Sequence, residues 1–189
     1  MRVLMVNGSP HKRGVTKKAL EVVAERLETA GVEVCWFELG SKPVRGCVSC
    51  GRCGRNNSRC VFEDDAANDL IEAIVAADGV VVGTPTYFAG ANGALLALMD
   101  RAFFAANEHG RHFVGKPAAA IATEWRAGAV SACDDINRYF LHAGMPIVAS
   151  NYWPVRFGSE VDSYGDRMLS ILGDRMAKAL SLLDISAGQ

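Results

Sequence analysis

Five short apolar runs alternate with five longer amphipathic stretches along this chain, and that alternation admits few folds. The runs are Arg2–Asn7, Val32–Phe37, Gly79–Gly83, Ala118–Ala122 and Ile147–Asn151. The first helical stretch, Lys17–Ala30, places Leu20, Val23, Ala24 and Leu27 on one face. Asp64 and Asp65 open the second, which carries Leu70, Ile71, Ile74 and Val75. Asn92–Ala106 follows, with Leu95, Leu96, Met99 and Phe103 together, then Ala129–Ala143 and Gly165–Leu183. Runs that are apolar throughout fit strands buried on both faces. A helix after each strand implies an open parallel sheet covered on both sides.

Five such strands suit a flavodoxin-like α/β fold of three layers, with strand order 2-1-3-4-5. The six-stranded dinucleotide fold is disfavoured, because the first run is not followed by G-x-G-x-x-G: after Gly8 the next glycine is Gly14, with Pro10 between. The length of 189 residues suits a single domain over 1–189, with 47–60 as a cysteine-rich insert loop. A formal net charge of −1 argues against a nucleic-acid binder. No apolar stretch approaches the ~20 residues that a membrane span needs. The N-terminal run ends at Asn7-Gly8 with no cleavage-site pattern, so a cytoplasmic location is expected.

The first strand leads into Asn7-Gly8-Ser9-Pro10-His11-Lys12-Arg13-Gly14-Val15-Thr16. Two glycines permit a sharp turn, and N–H groups at a helix start attract an anion, phosphate being the usual occupant. A plain strand-to-helix turn with a hydroxyl cap is the alternative. Without G-x-x-x-x-G-K-[ST], the loop is no nucleoside-triphosphate cradle. The third strand ends in Thr84-Pro85-Thr86-Tyr87-Phe88-Ala89-Gly90-Ala91-Asn92, beside the first strand, where such sheets bind ligands. Tyr87 and Phe88 offer faces or edges to a planar ring, or simply cap the core.

G-S-P-x-x-x-G-x-T after the first strand resembles the NADPH-dependent FMN reductases, as does T-P-T-Y-F-x-G-x-N-G-x-L-L-A-L-M-D-R after the third. The resemblance runs from Met1 to about Leu183. It implies that Ser9, His11, Arg13, Gly14, Val15 and Thr16 hold the FMN phosphate. It implies further that Pro85, Thr86, Tyr87, Phe88 and Gly90 line the isoalloxazine, with Thr123 and Trp125 on a third loop. Trp125 either stacks near the ring or fills a subunit contact. The chain departs from the family in having His11 for the usual Arg and Val15 for Asn or Ser. Val15 has no side-chain hydrogen bond to give, so its contact falls to backbone, with Arg13 or His11 supplying charge. Asp100 and Arg101 match the family's helix ending and are expected to pair with each other. No residue reads as a dedicated acid, base or nucleophile; His109, His112 and His142 fall at scattered positions. A bound flavin does its own redox chemistry, so that absence is expected.

Of six cysteines, Cys35 and Cys133 stand apart, while Cys47, Cys50, Cys53 and Cys60 follow C-x2-C-x2-C-x6-C. A chain this long needs no disulfide framework. Three close thiols and a more distant fourth suit a cubane, with Arg45, Arg52, Arg55 and Arg59 as offsetting charge or as a solvated face. Zinc, thiol exchange and a metal-free loop are the alternatives. Iron-sulfur flavoproteins of the resembled family carry a similar motif binding a [4Fe-4S] cluster, whereas other members have such cysteines, followed by D-D as at Asp64-Asp65, and are plain FMN reductases. The expected activity is FMN-dependent electron transfer from NAD(P)H or a ferredoxin-like donor to a quinone, flavin or other small acceptor. The alternative is a non-enzymatic carrier or redox sensor serving a protein partner. The resemblance implies a homodimer or homotetramer.

Overall fold

The computed structural model describes residues 1–108, 112–158 and 161–187; His109 lies outside them. Strand β1 (Arg2–Asn7) sits between β2 (Glu33–Glu38) and β3 (Gly79–Tyr87), parallel to both. Beyond β3 come β5 (Ala118–Glu124) and the edge strand β6 (Val155–Phe157), also parallel. A two-residue strand, β4 (Gly90–Ala91), folds back antiparallel on the end of β3. Counting the parallel strands alone, the order is 2-1-3-4-5, the expected flavodoxin-like arrangement.

Alternation of side chains along each strand divides the core in two. Val3, Met5, Val81 and Ile121 face helices α1 (Val15–Thr29) and α5 (Ser163–Ala187), burying Leu20, Val23, Leu27, Leu172 and Met176. Leu4, Val6, Val80, Val82 and Ala120 face the opposite layer of α2 (Ala67–Ala76), α3 (Gly93–Glu108) and α4 (Ala129–Ala143). Lys116 terminates α2: its ammonium donates to the carbonyls of Ile74 (3.0 Å), Val75 (2.8 Å) and Ala77. Partial burial there lowers its pKa from the ordinary lysine value.

The fifth strand departs from expectation. Ile147 makes a single bridge to Ala118, and the regular pairing resumes only at Val155, opposite Ala122. While β5 advances from Ala118 to Ala122, its neighbour advances from Ile147 to Val155, so the intervening residues loop out. Pro146 and Pro154 bracket the interruption and act only as acceptors, from Ala118 N (2.8 Å) and Ala122 N (3.2 Å). Prolines lack the N–H that a continuous ladder requires, and an edge strand tolerates the break. Strand β3 instead runs past the apolar Gly79–Gly83, with Thr84 opposite Ala122 and Pro85 opposite Thr123.

Candidate functional site: three interlocked loops and a cysteine loop

The loop after β1 is pressed against β3. Gly8 N donates to Gly83 O at 2.8 Å, and a Cβ on Gly8 would lie 2.5 Å from Leu95 Cδ2 and 2.7 Å from Gly83 O. Only glycine allows that approach. Buried Asn7 shapes the turn: its Oδ1 accepts from Ser9 N (3.2 Å), and its Nδ2 donates to Glu38 Oε2 (2.7 Å). Ser9 Oγ accepts from His11 N at 3.1 Å. Helix α1 then starts after Gly14 with no side-chain cap. Its first N–H groups have no intrahelical acceptor, and the helix dipole favours negative charge there. Ser9 and Thr16 are buried, Gly14 and Val15 half-buried, His11 and Arg13 exposed.

Contacts between the loops fasten all three together. Asn92 Nδ2 donates to Gly8 O (2.8 Å) while Asn92 N donates to Thr84 Oγ1 (3.0 Å), tying the β1 loop to the end of β3. The hydroxyls of Thr16 and Thr123, both buried, hydrogen-bond at 2.9 Å, tying it to the end of β5. Gly128, at φ +104°, packs on the β3–β4 turn so closely that a Cβ would lie 2.5 Å from Ala89 Cα. That turn holds Phe88 and Ala89 in the left-handed region (φ 50° and 61°), which suits a two-residue hairpin but strains non-glycine residues. Thr86 Oγ1 is buried with no hydrogen-bond partner among the described residues. Tyr87, Phe88 and Trp125 are exposed at the carboxyl ends of β3 and β5, Phe88 wholly so. Glu124 turns to the start of α4, where its Oε2 accepts from Ala129 N at 2.7 Å.

Of the predicted residues, the structure joins Ser9 and Gly14 to His11, Thr16 to Thr123, Pro85 to Thr123 by strand pairing and Gly90 to Tyr87, while the side chains of Arg13, Tyr87, Phe88 and Trp125 are exposed. Asn7, Thr84, Asn92 and Gly128 perform the joining, and sequence reasoning passed over all four. Asn before Gly at a strand end is a turn signal that points to Asn7 and Asn92. His112 and His142 are exposed and stand apart from this region.

The cysteine loop is irregular except for one 3-10 turn, Arg52–Arg55. No disulfide joins its thiols. Cys47 and Cys50 are exposed, Cys53 and Cys60 buried, and all four line one void of about 20 Å³ beside Phe62, Phe104 and Arg101. Among the described residues, no three Cys, His, Asp or Glu side chains are arranged to hold a metal ion. Hydrogen bonds from Arg52, through backbone and side chain, hold the Cys50 thiol below its ordinary pKa. Asn68 fixes the far end of the loop: its Oδ1 accepts from Cys60 N (2.8 Å) and its Nδ2 donates to Cys60 O (2.9 Å).

Arg101 does not pair with Asp100. It lies buried against the cysteine loop, ion-paired with Asp65, with Nε donating to Cys60 Sγ at 3.3 Å and Nη2 to Phe62 O at 2.8 Å. Asp100 instead accepts from the Tyr139 hydroxyl. Consecutive helix residues point about 100° apart, so the pairing implied by adjacency is geometrically poor. Asp65 also accepts from Ala67 N (3.1 Å) at the start of α2, and Asp64 pairs with Arg45 (3.0 Å), which lowers its pKa. Arg59 pairs with Glu72, so two of the four loop arginines are neutralised locally.

A model of the NADPH-dependent FMN reductase family matches residues 1–160. An iron-sulfur flavoprotein of Methanocaldococcus jannaschii is 27% identical over 198 residues, covering 97% of this chain and 99% of that one. One of Archaeoglobus fulgidus is 37% identical over 101 residues, which is 53% of this chain and 48% of the relative. Among solved structures, a flavoenzyme NAD(P)H:(acceptor) oxidoreductase of Paracoccus denitrificans superposes with a TM-score of 0.72 at 20% identity, over 96% of this chain and 97% of that one. At that identity the likeness is one of fold.

Proposed function

This chain belongs to the NADPH-dependent FMN reductase family and is an FMN reductase-like enzyme, and on that premise we propose that the three interlocked loops hold FMN. Ser9, His11, Arg13, Gly14, Val15 and Thr16 surround the phosphate. Pro85, Thr86, Tyr87, Phe88, Gly90, Thr123 and Trp125 border the ring. The observation that carries this reading is an uncapped helix start joined by Thr16–Thr123 to the loop pair that holds the unpartnered Thr86 hydroxyl. A buried hydroxyl without a partner is uncommon and suits a ligand acceptor. The flavin supplies hydride and electron transfer when bound. The chain's part is to anchor the phosphate on backbone N–H groups, fix the loops through Asn7 and Asn92, and set the ring edge at Thr86.

We take NAD(P)H as the donor, a ferredoxin-like protein as its alternative, and a quinone or flavin as the acceptor. The exposed Tyr87, Phe88 and Trp125 edge suits a homodimer or homotetramer. For Cys47, Cys50, Cys53 and Cys60 we propose a [4Fe-4S] cluster. Four thiols of one loop are the right donor type, although the structure does not gather three of them about a point, and relatives bear the name iron-sulfur flavoprotein. The exposure of Cys47 and Cys50 favours a second reading, a carrier passing electrons to a protein partner. Anaerobic steady-state oxidation of NADPH and NADH, with FMN and a panel of quinones and flavins, separates the two. Turnover with a small acceptor supports the reductase; none with any acceptor supports the carrier. Iron and acid-labile sulfide measured on the same preparation test the cluster.

A further inference from the structure

We infer that Arg101 is the positioning residue of the cysteine loop, closing the loop at both ends and fixing the sulfur of Cys60 for an anionic iron–sulfur centre. The inference rests on the proposed cluster and adds a role for a residue on another element. Arg101 is only 2% exposed, although it stands on α3, far in sequence from the loop. Its guanidinium reaches the carbonyl of Arg45 (3.4 Å) just before Cys47, the carbonyl of Phe62 (2.8 Å) just after Cys60, and Cys60 Sγ (3.3 Å). Asp65 supplies the counter-charge. One planar side chain thus gathers the entry, the exit and one thiol of the same loop, a geometry that five fixed N–H donors allow and a lysine cannot copy.

The alternative role is a purely structural ion pair. Two features go beyond it. The donor aimed at Cys60 Sγ contributes nothing to pairing with Asp65, since a different nitrogen serves the carboxylate. Arg101 also lines the void shared by all four thiols, whereas Arg45 and Arg59 are spent on exposed carboxylates. Hydrogen bonds to sulfur and nearby positive charge raise the potential of thiolate-ligated clusters.

The test uses the full chain, anaerobically reconstituted with iron and sulfide, as parent, Arg101→Lys and Arg101→Met/Asp65→Asn. The double variant removes both buried charges together, so it keeps its fold where Arg101→Met alone is at risk. Readouts are iron and sulfide per chain, the cluster's midpoint potential by spectroelectrochemistry, and FMN content. The expected result is a loaded parent, a lower potential in Arg101→Lys, which loses the hydrogen bond to Cys60 Sγ, and faster iron loss in the double variant, whose two charge changes offset each other in potential, at unchanged FMN content. Variants that match the parent in potential and iron retention would overturn the role of Arg101 and leave the cluster standing. A parent that retains neither iron nor sulfide would overturn the cluster, and this inference with it.

Discussion

The β1 loop and the cysteine loop both lie outside the sheet, yet they are held in opposite ways. The β1 loop is fixed by neighbours on strand ends: Gly83 by its carbonyl, Thr84 through Asn92, Thr123 by its hydroxyl. Its partners are already positioned by the sheet, so each contact orders little extra chain. The cysteine loop is held otherwise. Its fixed points are side chains, chiefly Asn68 on α2, Arg101 on α3 and Asp65 just before α2. A loop on strand ends inherits its geometry from the fold, whereas a loop clasped by side chains depends on each clasp.

That contrast can be broken most directly at the buried pair. Arg101→Met leaves Asp65 charged and buried, and we expect ~3–5 kcal/mol of lost stability in urea unfolding. Arg101→Met/Asp65→Asn, which removes both charges and keeps the acceptor for Ala67 N, should recover most of it; equal loss in both would mean that burial of charge is not the cost. On the other side, Asn92→Leu strands the Gly8 carbonyl, at ~1–3 kcal/mol. Because strand contacts persist, FMN content should fall only in part. Complete loss of FMN would show the β1 loop to be as dependent on a single clasp as the cysteine loop is.

Smaller effects refine the picture. Lys17 and Glu38 pair at 3.0 Å beside the β1 loop, and Lys17 lies over the Trp36 ring. Glu38→Gln keeps the acceptor for Asn7 and should cost no more than ~1 kcal/mol by thermal or urea unfolding. Cys133 should remain untouched. Burial raises its thiol to about 12, so the native thiolate is scarce at pH ~8.5, where an ordinary thiol is half ionised. Folding keeps that proton on, so the contribution to stability is full below the unfolded thiol's pKa and is lost as pH rises toward the folded value. Alkylation of native protein at that pH should spare Cys133 and label it on unfolding; rapid native labelling would contradict its burial.

The sheet was legible because its strands announce themselves as unbroken apolar runs, and Gly8 and Gly14 mark the first loop by spacing alone. Thr84 and Pro85 read as a loop yet belong to β3, since pairing with β5 overrides the turn propensity of proline. The edge strand was misplaced for a related reason. Ile147–Asn151 has strand-forming residues, but Pro146 and Pro154 decide where the ladder breaks, and pairing is a property of the neighbour. Within the candidate site, Ser9 and Thr16 were identifiable from local sequence, whereas the joining roles of Asn92, Thr123 and Gly128 depend on contacts between loops distant along the chain. Arg101 was the hardest to read. Adjacency suggested Asp100, and only the packing of α3 on the cysteine loop reveals Asp65 and Cys60 as its partners.

The central claim is that the uncapped start of α1 and its flanking hydroxyls bind the phosphate of FMN. Calorimetric titration of flavin-free protein with FMN and with riboflavin, repeated on Ser9→Ala/Thr16→Ala, tests it most directly. Each hydrogen bond to a charged phosphate is worth ~1.5–3 kcal/mol. The parent should therefore bind FMN at least ~10-fold more tightly than riboflavin, and the double variant should lose most of that preference; because Thr16→Ala also breaks the Thr123 tie, the ratio of the two affinities is the readout. Equal affinity of the parent for FMN and riboflavin would contradict the phosphate site.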